Sequence, residues 1–84
     1  MYNTIKIRIP NPETSRLVQE KLFTLGNKWN VGKKVLYTDS NFLYATRGNL
    51  SHGMDESTFN EIGHTEITVE ELLNLKMNWK KRYD

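Results

Sequence analysis

Apolar and polar side chains alternate at the start of the chain. In TIKIRIP (residues 4–10), the isoleucines fall on one side of an extended backbone and the polar residues fall on the other. A period of two with β-branched side chains is typical of a half-buried strand. Pro10 has no backbone N–H to donate, so the strand is predicted to end there.

A helical pattern follows in NPETSRLVQEKLFTLG (residues 11–26). Asn11 is a suitable N-cap, and Pro12 suits the first helical position, where the N–H would have no helical partner. Gly26 suits the left-handed position after a helix, so the helix is predicted to end there. Apolar residues at helical spacing predict a core-facing stripe. It consists of Val18, Leu22 and Leu25, with Leu17 beside them.

Two pairs of short strands are predicted in the middle of the chain. The first pair, in KWNVGKKVLYT (residues 28–38), turns at Gly32 and Lys33. The second pair, in NFLYATRGNLSHG (residues 41–53), turns at the RGN of residues 47–49. Glycine and asparagine favour the left-handed backbone of tight hairpin turns, which supports both assignments.

Two further helical segments are predicted in the last third of the chain. A short one in DESTFNEIG is capped by Asp55 and anchored to the body of the protein by Phe59. The longer one, in ITVEELLNLKMNWKKRYD (residues 67–84), begins with a capping box formed by Thr68 and Glu71. Its apolar stripe is Leu72, Leu75 and Trp79, and the basic residues suited to its C-terminal end are Lys80, Lys81 and Arg82.

Together these elements predict an α+β fold formed by one domain, residues 1–84. A small antiparallel sheet contains an N-terminal βα unit and two hairpin-like strand pairs, and the helices, including the C-terminal helix, pack on one face. The chain has no cysteine, which excludes disulfides and thiolate metal sites and fits a reducing compartment. No apolar stretch approaches the ~18 residues of a membrane span, so we expect a soluble cytosolic protein without a membrane partner.

Charge is divided unevenly along the chain, although the net charge is only +2. Residues 1–49 contain eight Lys or Arg and three acids, whereas residues 50–84 contain four Lys or Arg and seven acids. The first half is therefore expected to face an anionic partner, if there is one.

Signatures of catalysis and of metal or cofactor binding are absent from the sequence. His52 and His64 are twelve positions apart and have no cysteine to complete a zinc site. Ser51, His52 and Asp55 are close in sequence, but neighbouring side chains on a strand point to opposite faces. The glycines form neither GxGxxG nor GxxxxGK(S/T). We therefore expect a protein that is not an enzyme and has no metal or cofactor.

Aromatic and basic residues are concentrated between residues 28 and 47. The period-two pattern assigns one face of the predicted strands to the core and exposes the other, because aliphatic side chains favour the core. The reverse assignment, with the rings buried, stays open. The first face holds Leu36, Leu43 and Ala45, and the second holds Tyr37, Phe42 and Tyr44.

Exposed rings beside cations suit a nucleotide or single-stranded nucleic acid, where stacking contributes about 1–3 kcal/mol per base. The same composition is typical of protein interfaces. A third interpretation is that the rings only fill a small core. The candidate ligand-binding residues are Trp29, Tyr37 and Tyr44 for stacking, and Lys33, Lys34 and Arg47 for phosphate.

Three segments, EKLFTLGNKW, VLYTDSNFLYA and EITVEELLNL, resemble small accessory proteins of tailed bacteriophages, including T4-like phages. The resemblance covers residues 5–75. It implies a phage product that acts in the host cytoplasm in host takeover or counter-defence, by binding a host protein or by sequestering a nucleotide signal that triggers immunity. None of the three segments is a catalytic signature, and the resemblance assigns no site residue.

The leading hypothesis is thus a non-enzymatic binding protein of phage origin that holds an anionic, nucleotide-type ligand. One alternative is an antagonist that docks an aromatic patch or an open strand edge on a host enzyme. Another is a nucleic-acid-binding protein with steep salt dependence, which the acidic second half disfavours. A homodimer or higher oligomer would help so short a chain to form a deep pocket.

Overall fold

The computed structural model describes residues 4–75 as a four-stranded sheet with three helices. The elements are β1 (Thr4–Arg8), α1 (Pro12–Thr24), β2 (Phe42–Thr46), β3 (Asn49–Gly53), α2 (Glu56–Glu61), β4 (Thr65–Glu66) and α3 (Val69–Leu73). The strands lie in the order β3-β2-β1-β4. The two-residue β4 is parallel to β1, whereas the other pairs are antiparallel, so the sheet is mixed. The predicted α+β fold class, with its N-terminal βα unit and its C-terminal helix, is confirmed.

Helix α1 begins and ends where the sequence predicted. The Asn11 side chain accepts a hydrogen bond from the Thr14 N–H at 2.8 Å, and Pro12 occupies the first turn. Gly26 follows the helix with a φ of 101°, a left-handed conformation that glycine adopts without strain. The predicted stripe is buried, but Leu17 is 43% exposed and does not belong to the core. It lies about 100° around the helix from the next residue of the stripe.

The second predicted hairpin is confirmed, and its turn is left-handed at two residues. Arg47 and Gly48 connect β2 to β3 with φ angles of 52° and 90°. Positive φ at both central positions of a two-residue turn matches the right-handed twist of the strands. Thr46 and Asn49 therefore face each other as the closing pair of the hairpin.

The first predicted hairpin is not formed. Residues 28–38 contain no strand, and their one antiparallel bridge joins Trp29 to Gly32. Gly32 has a φ of 119° and Tyr37 a φ of 53°, and both angles interrupt the extended backbone that a strand needs. The N–H and C=O of Leu36 are hydrogen-bonded to the Gln19 side chain of α1. The prediction of two strands here is wrong, since the backbone groups of this segment find a partner in a helix.

The main hydrophobic core lies between one face of the sheet and the helices α1 and α3. Leu43 and Ala45 of β2 are buried there, which confirms their assignment to the core. Leu36, the third residue of that assignment, is only partly buried and packs against the edge of the cluster. Helix α1 contributes Val18 and α3 contributes Leu72, and neither side chain has any exposed surface.

The opposite face of the sheet is covered as well. Phe59 of α2 is completely buried, and its ring stacks on Phe42 with the centroids 4.5 Å apart. The Tyr44 ring lies 6.1 Å from the same ring. Phe42 and Tyr44 are only 5% and 6% exposed. The predictions that helices cover one face and that these two rings are exposed are therefore wrong, because α2 packs against the second face.

Lys6 attaches α2 to the sheet. Because Lys6 alternates with the isoleucines of β1, its side chain points to the face that α2 covers. Its Nζ donates to the carbonyl oxygens of Phe59 at 2.6 Å and of Ile62 at 3.1 Å. A helix leaves its last carbonyls unpaired, and a cation is favourable at that end. Lys6 is therefore buried and connects β1 to α2 through these two hydrogen bonds.

Helix α3 begins with the predicted capping box. The Glu71 N–H donates to the Thr68 hydroxyl oxygen at 3.0 Å, and the Thr68 N–H donates to the Glu71 carboxylate at 2.8 Å. Ile67 and Leu72, which flank the box, are both buried in the main core. The predicted continuation of this helix, with Trp79, Lys80, Lys81 and Arg82, lies outside the described residues.

Acid is expected to destabilise the protein partly through Glu71. The hydrogen bonds with Thr68 lower the pKa of the Glu71 carboxylate below its usual value. Because the pKa is lowered in the folded state, this stabilisation is complete above the usual glutamate pKa and is lost as the pH falls through the lowered one. In urea titrations from about pH 7 to about pH 3, the stability difference between the protein and Glu71→Ala should therefore shrink. Glu70→Ala removes the same charge one position earlier, and equal pH dependence of both variants would contradict the role of the capping box.

Candidate functional site

A groove of about 280 Å³ opens beside β3, and we call it the aromatic groove. Residues 29–31, together with Leu36 and Tyr37, form one of its walls, and residues 50–52 form the other. Its volume lies just below the ~300–1,000 Å³ typical of small-molecule sites, so it suits a single ring system. The lining includes Trp29, Asn30, Val31, Tyr37, Leu50 and His52.

Trp29 forms a rigid part of this wall. The side chain is only 4% exposed, and its Nε1–H donates to Gln19 Oε1 at 2.9 Å. The fully buried Gln19 in turn donates from Nε2 to the Ser15 hydroxyl at 3.0 Å and to the Leu36 carbonyl at 2.6 Å. The Leu36 N–H donates back to Gln19 Oε1 at 2.9 Å. One glutamine of α1 therefore positions two residues of the groove lining, Trp29 and Leu36.

Tyr37 is the half-exposed ring of the groove, at 51% exposure. It stacks on His52 with the centroids 3.9 Å apart and the planes 12° from parallel. The edge of this pair meets Trp29, whose centroid lies 5.0 Å from Tyr37 and 5.9 Å from His52. Tyr37 has a φ of 53°, which is uncommon for a residue with a large side chain and is typical of functional sites. The three rings form one aromatic cluster.

His52 was missed as a groove residue in the sequence analysis. Its Nδ1 is hydrogen-bonded at 2.7 Å to the hydroxyl of buried Ser40, which holds the imidazole ring parallel to Tyr37. The usable signal was the period of two in β3, since Leu50 and His52 lie on the same face as the core residue Leu43. The partner Ser40 could not be found in this way, because it lies in a turn between the predicted strands.

Exposed cations adjoin the groove-lining residues along the chain. Lys28 precedes the wall formed by residues 29–31, and Lys33 and Lys34 follow it. The Lys28 N–H donates to the Gly48 carbonyl at 2.9 Å, so this lysine adjoins the hairpin turn that carries exposed Arg47. The ion pairs among residues 4–75 involve only Arg8 and Arg16 as cations, so none of these four cations forms an ion pair with a described acid.

Tyr44 lies on the other face of the sheet, away from the aromatic groove. Its hydroxyl is buried without a hydrogen-bond partner among residues 4–75. Burial raises the pKa of Tyr44, and the nearby Asp55 carboxylate raises it further. The structure therefore brings Trp29 and Tyr37 together and separates Tyr44 from them. The predicted Lys33 and Lys34 are exposed and lie between Trp29 and Tyr37 in the sequence.

Within residues 4–75, no group of three or more histidine, cysteine or acidic residues could hold a metal ion. No helix in this range is long and apolar enough to cross a membrane. No family model, no curated protein and no solved structure matches this chain. The resemblance to phage accessory proteins therefore stays a prediction.

Proposed function

We propose that this protein is a non-enzymatic binding protein whose aromatic groove holds a planar, negatively charged ligand of nucleotide type. The observation that carries the proposal is the cluster of Trp29, Tyr37 and His52, which lines a groove. Exposed lysines without a described ion pair adjoin the groove-lining residues in the sequence. Rings supply stacking surface for a base, and lysines supply charge for a phosphate.

The groove supports one base better than several. At about 280 Å³ it has room for one ring system with its substituents. Stacking on the half-exposed face of Tyr37 would contribute about 1–3 kcal/mol, which gives weak binding unless the lysines add to it. A larger nucleotide, with two or more bases, would need grooves from two copies of the chain, so the proposed homo-oligomer and the size of the ligand are linked.

The biological part of the proposal rests on the resemblance to phage accessory proteins. A phage protein that holds a nucleotide-type signal in the host cytoplasm acts by sequestration, so it needs affinity and abundance but no catalytic group. This fits a groove whose rings are already assembled, because a preformed site loses little conformational entropy on binding.

The double variant Lys33→Ala/Lys34→Ala is expected to weaken binding of adenosine monophosphate about tenfold, equivalent to roughly 1.4 kcal/mol. Both side chains are exposed, so the stability of the fold should change by less than about 0.5 kcal/mol. Quenching of tryptophan fluorescence during titration measures the affinity. Arg16→Ala removes an exposed cation from α1 as the matched control, and unchanged affinity in the lysine double variant would remove both lysines from the site.

Native mass spectrometry of protein purified from a bacterial host tests the proposal itself. We expect an excess mass that is released by denaturation with a nucleotide-like ultraviolet absorbance, and that is lost from Tyr37→Ala. A ligand-free mass, together with no binding of added mononucleotides, would overturn the proposal. Affinity that falls steeply with salt for single-stranded DNA would instead favour the nucleic-acid alternative.

A further inference from the structure

The outer edge of β3 has free backbone groups along its second half. In a two-residue hairpin the closing pair is hydrogen-bonded, and such pairs then alternate with pairs that are not. Asn49, Ser51 and Gly53 therefore bond to β2, whereas the backbone groups of Leu50 and His52 point outward. The register thus identifies which amides of β3 an additional strand could reach.

The first of these outward groups is already used. The Leu50 N–H donates to the Lys28 carbonyl at 2.9 Å, in a short parallel bridge. The chain then turns back on itself, since Trp29 and Gly32 hydrogen-bond to each other. Beyond this point, the Leu50 C=O and the N–H and C=O of His52 have no backbone partner within residues 4–75. The part of β3 that is left open is also the wall of the aromatic groove.

We propose that this edge binds an extended, acidic segment of another protein as an added strand. Main-chain hydrogen bonds to Leu50 and His52 would align the segment, and alternate side chains would then point into the groove. An aromatic or long apolar side chain fits there, because the groove is lined by rings and by Val31, which is 75% exposed. Met54, directly after β3, is also an exposed large apolar residue.

Charge decides the chemistry of the partner. Lys28 and Lys33 directly flank the turn that the Trp29–Gly32 hydrogen bonds close, and Lys34 follows them. These cations therefore lie on one side of the groove lining, where carboxylates of the added segment would be paired with them. A second copy of this chain would instead bring the same cations to the interface, and like charges across an interface are unfavourable. The proposal goes beyond nucleotide binding, since it depends on backbone groups that a stacked base does not need.

A synthetic peptide of about eight residues, with alternating glutamate and valine around one central phenylalanine, is the probe. In the free protein the His52 amide should exchange rapidly with solvent, while the Ser51 and Gly53 amides should be protected by β2. Saturation with the peptide should protect the His52 amide at least about tenfold. Adenosine monophosphate should leave this exchange rate unchanged, which separates a failure of this proposal from a failure of nucleotide binding.

Two peptide controls and two protein variants make the test specific. Lysine in place of glutamate, or N-methylation of the backbone amides on the docking side, should abolish binding of the peptide. Val31→Asp should weaken binding about tenfold or more by placing a carboxylate in the groove. Leu17→Asp introduces the same charge at an exposed apolar position of α1 and should have no effect. Unchanged exchange at His52 with bound peptide, equal binding of the lysine peptide, or a dimer that already protects His52 would each overturn the proposal.

Discussion

Replacing Phe59 with alanine is expected to lower the free energy of unfolding by about 3–5 kcal/mol. The side chain has no exposed surface and stacks on Phe42. It also lies beneath two cations, with Lys6 Nζ 4.8 Å and the Arg8 guanidinium carbon 4.6 Å from the ring centroid. Removing the ring leaves a cavity and takes away the aromatic face beside Lys6. A domain of this size has about 4–13 kcal/mol of stability, so a large part would be lost.

Urea unfolding followed by circular dichroism measures this effect. Phe59→Leu keeps most of the apolar volume and should cost clearly less than Phe59→Ala. Met54→Ala truncates an exposed apolar side chain next to α2 and should change stability by less than about 0.5 kcal/mol. A loss below about 1.5 kcal/mol for Phe59→Ala would mean that α2 contributes little to the fold, contrary to the buried contacts described above.

Gln19→Leu is expected to cost about 2–4 kcal/mol, since several buried polar groups lose their partner at once and each costs about 1–3 kcal/mol. The amide of Gln19 accepts from the Trp29 indole and the Leu36 N–H, and it donates to the Leu36 carbonyl. Leucine has a similar volume, so the loss comes from the missing hydrogen bonds rather than from a cavity. Because Trp29 and Leu36 line the aromatic groove, ligand affinity should fall together with stability.

The measurement is urea unfolding combined with tryptophan emission, in a Trp79→Phe background that leaves Trp29 as the reporter. The emission of Gln19→Leu should shift, because the indole N–H loses its hydrogen bond. Ser15→Ala removes only the hydroxyl that accepts from Gln19 and should cost about 1 kcal/mol with no shift in emission. If both variants behaved alike, Gln19 would not be the residue that positions the groove wall.

The sequence predicted those elements that carry their own start and end signals. Asn11, Thr68 and Glu71 cap helices where expected, and the turn at Arg47 and Gly48 forms a hairpin. These signals are local, because a cap or a tight turn depends on residues that are close in sequence. The order of the predicted strands and helices was sufficient for the fold class.

The candidate site depended on contacts that local patterns do not encode. The predicted strand at Leu36 is not formed, because Tyr37 has a left-handed backbone and Gln19 binds the Leu36 backbone. Neither a tyrosine nor a glutamine in the sequence indicates such a contact in advance. Tyr44 was predicted to face solvent, and this prediction is wrong because Phe59 of α2 covers that face of the sheet. The register between β2 and β3 places His52 at the groove, and a hydrogen bond to Ser40 fixes its ring. Both contacts join residues that are far apart in the sequence.

Because both sheet faces are covered, we expect the protein to open in two units of unequal size. The larger unit includes thirteen buried residues around α1 and α3, whereas the smaller consists of three buried rings and Ile62 beneath α2. Release of the smaller unit also lets water reach the Tyr44 hydroxyl, which has no partner in the described part of the folded chain. We therefore expect opening at α2 to cost less free energy than global unfolding, and the aromatic groove, whose Trp29 and Leu50 belong to the larger unit, to keep its shape while α2 opens.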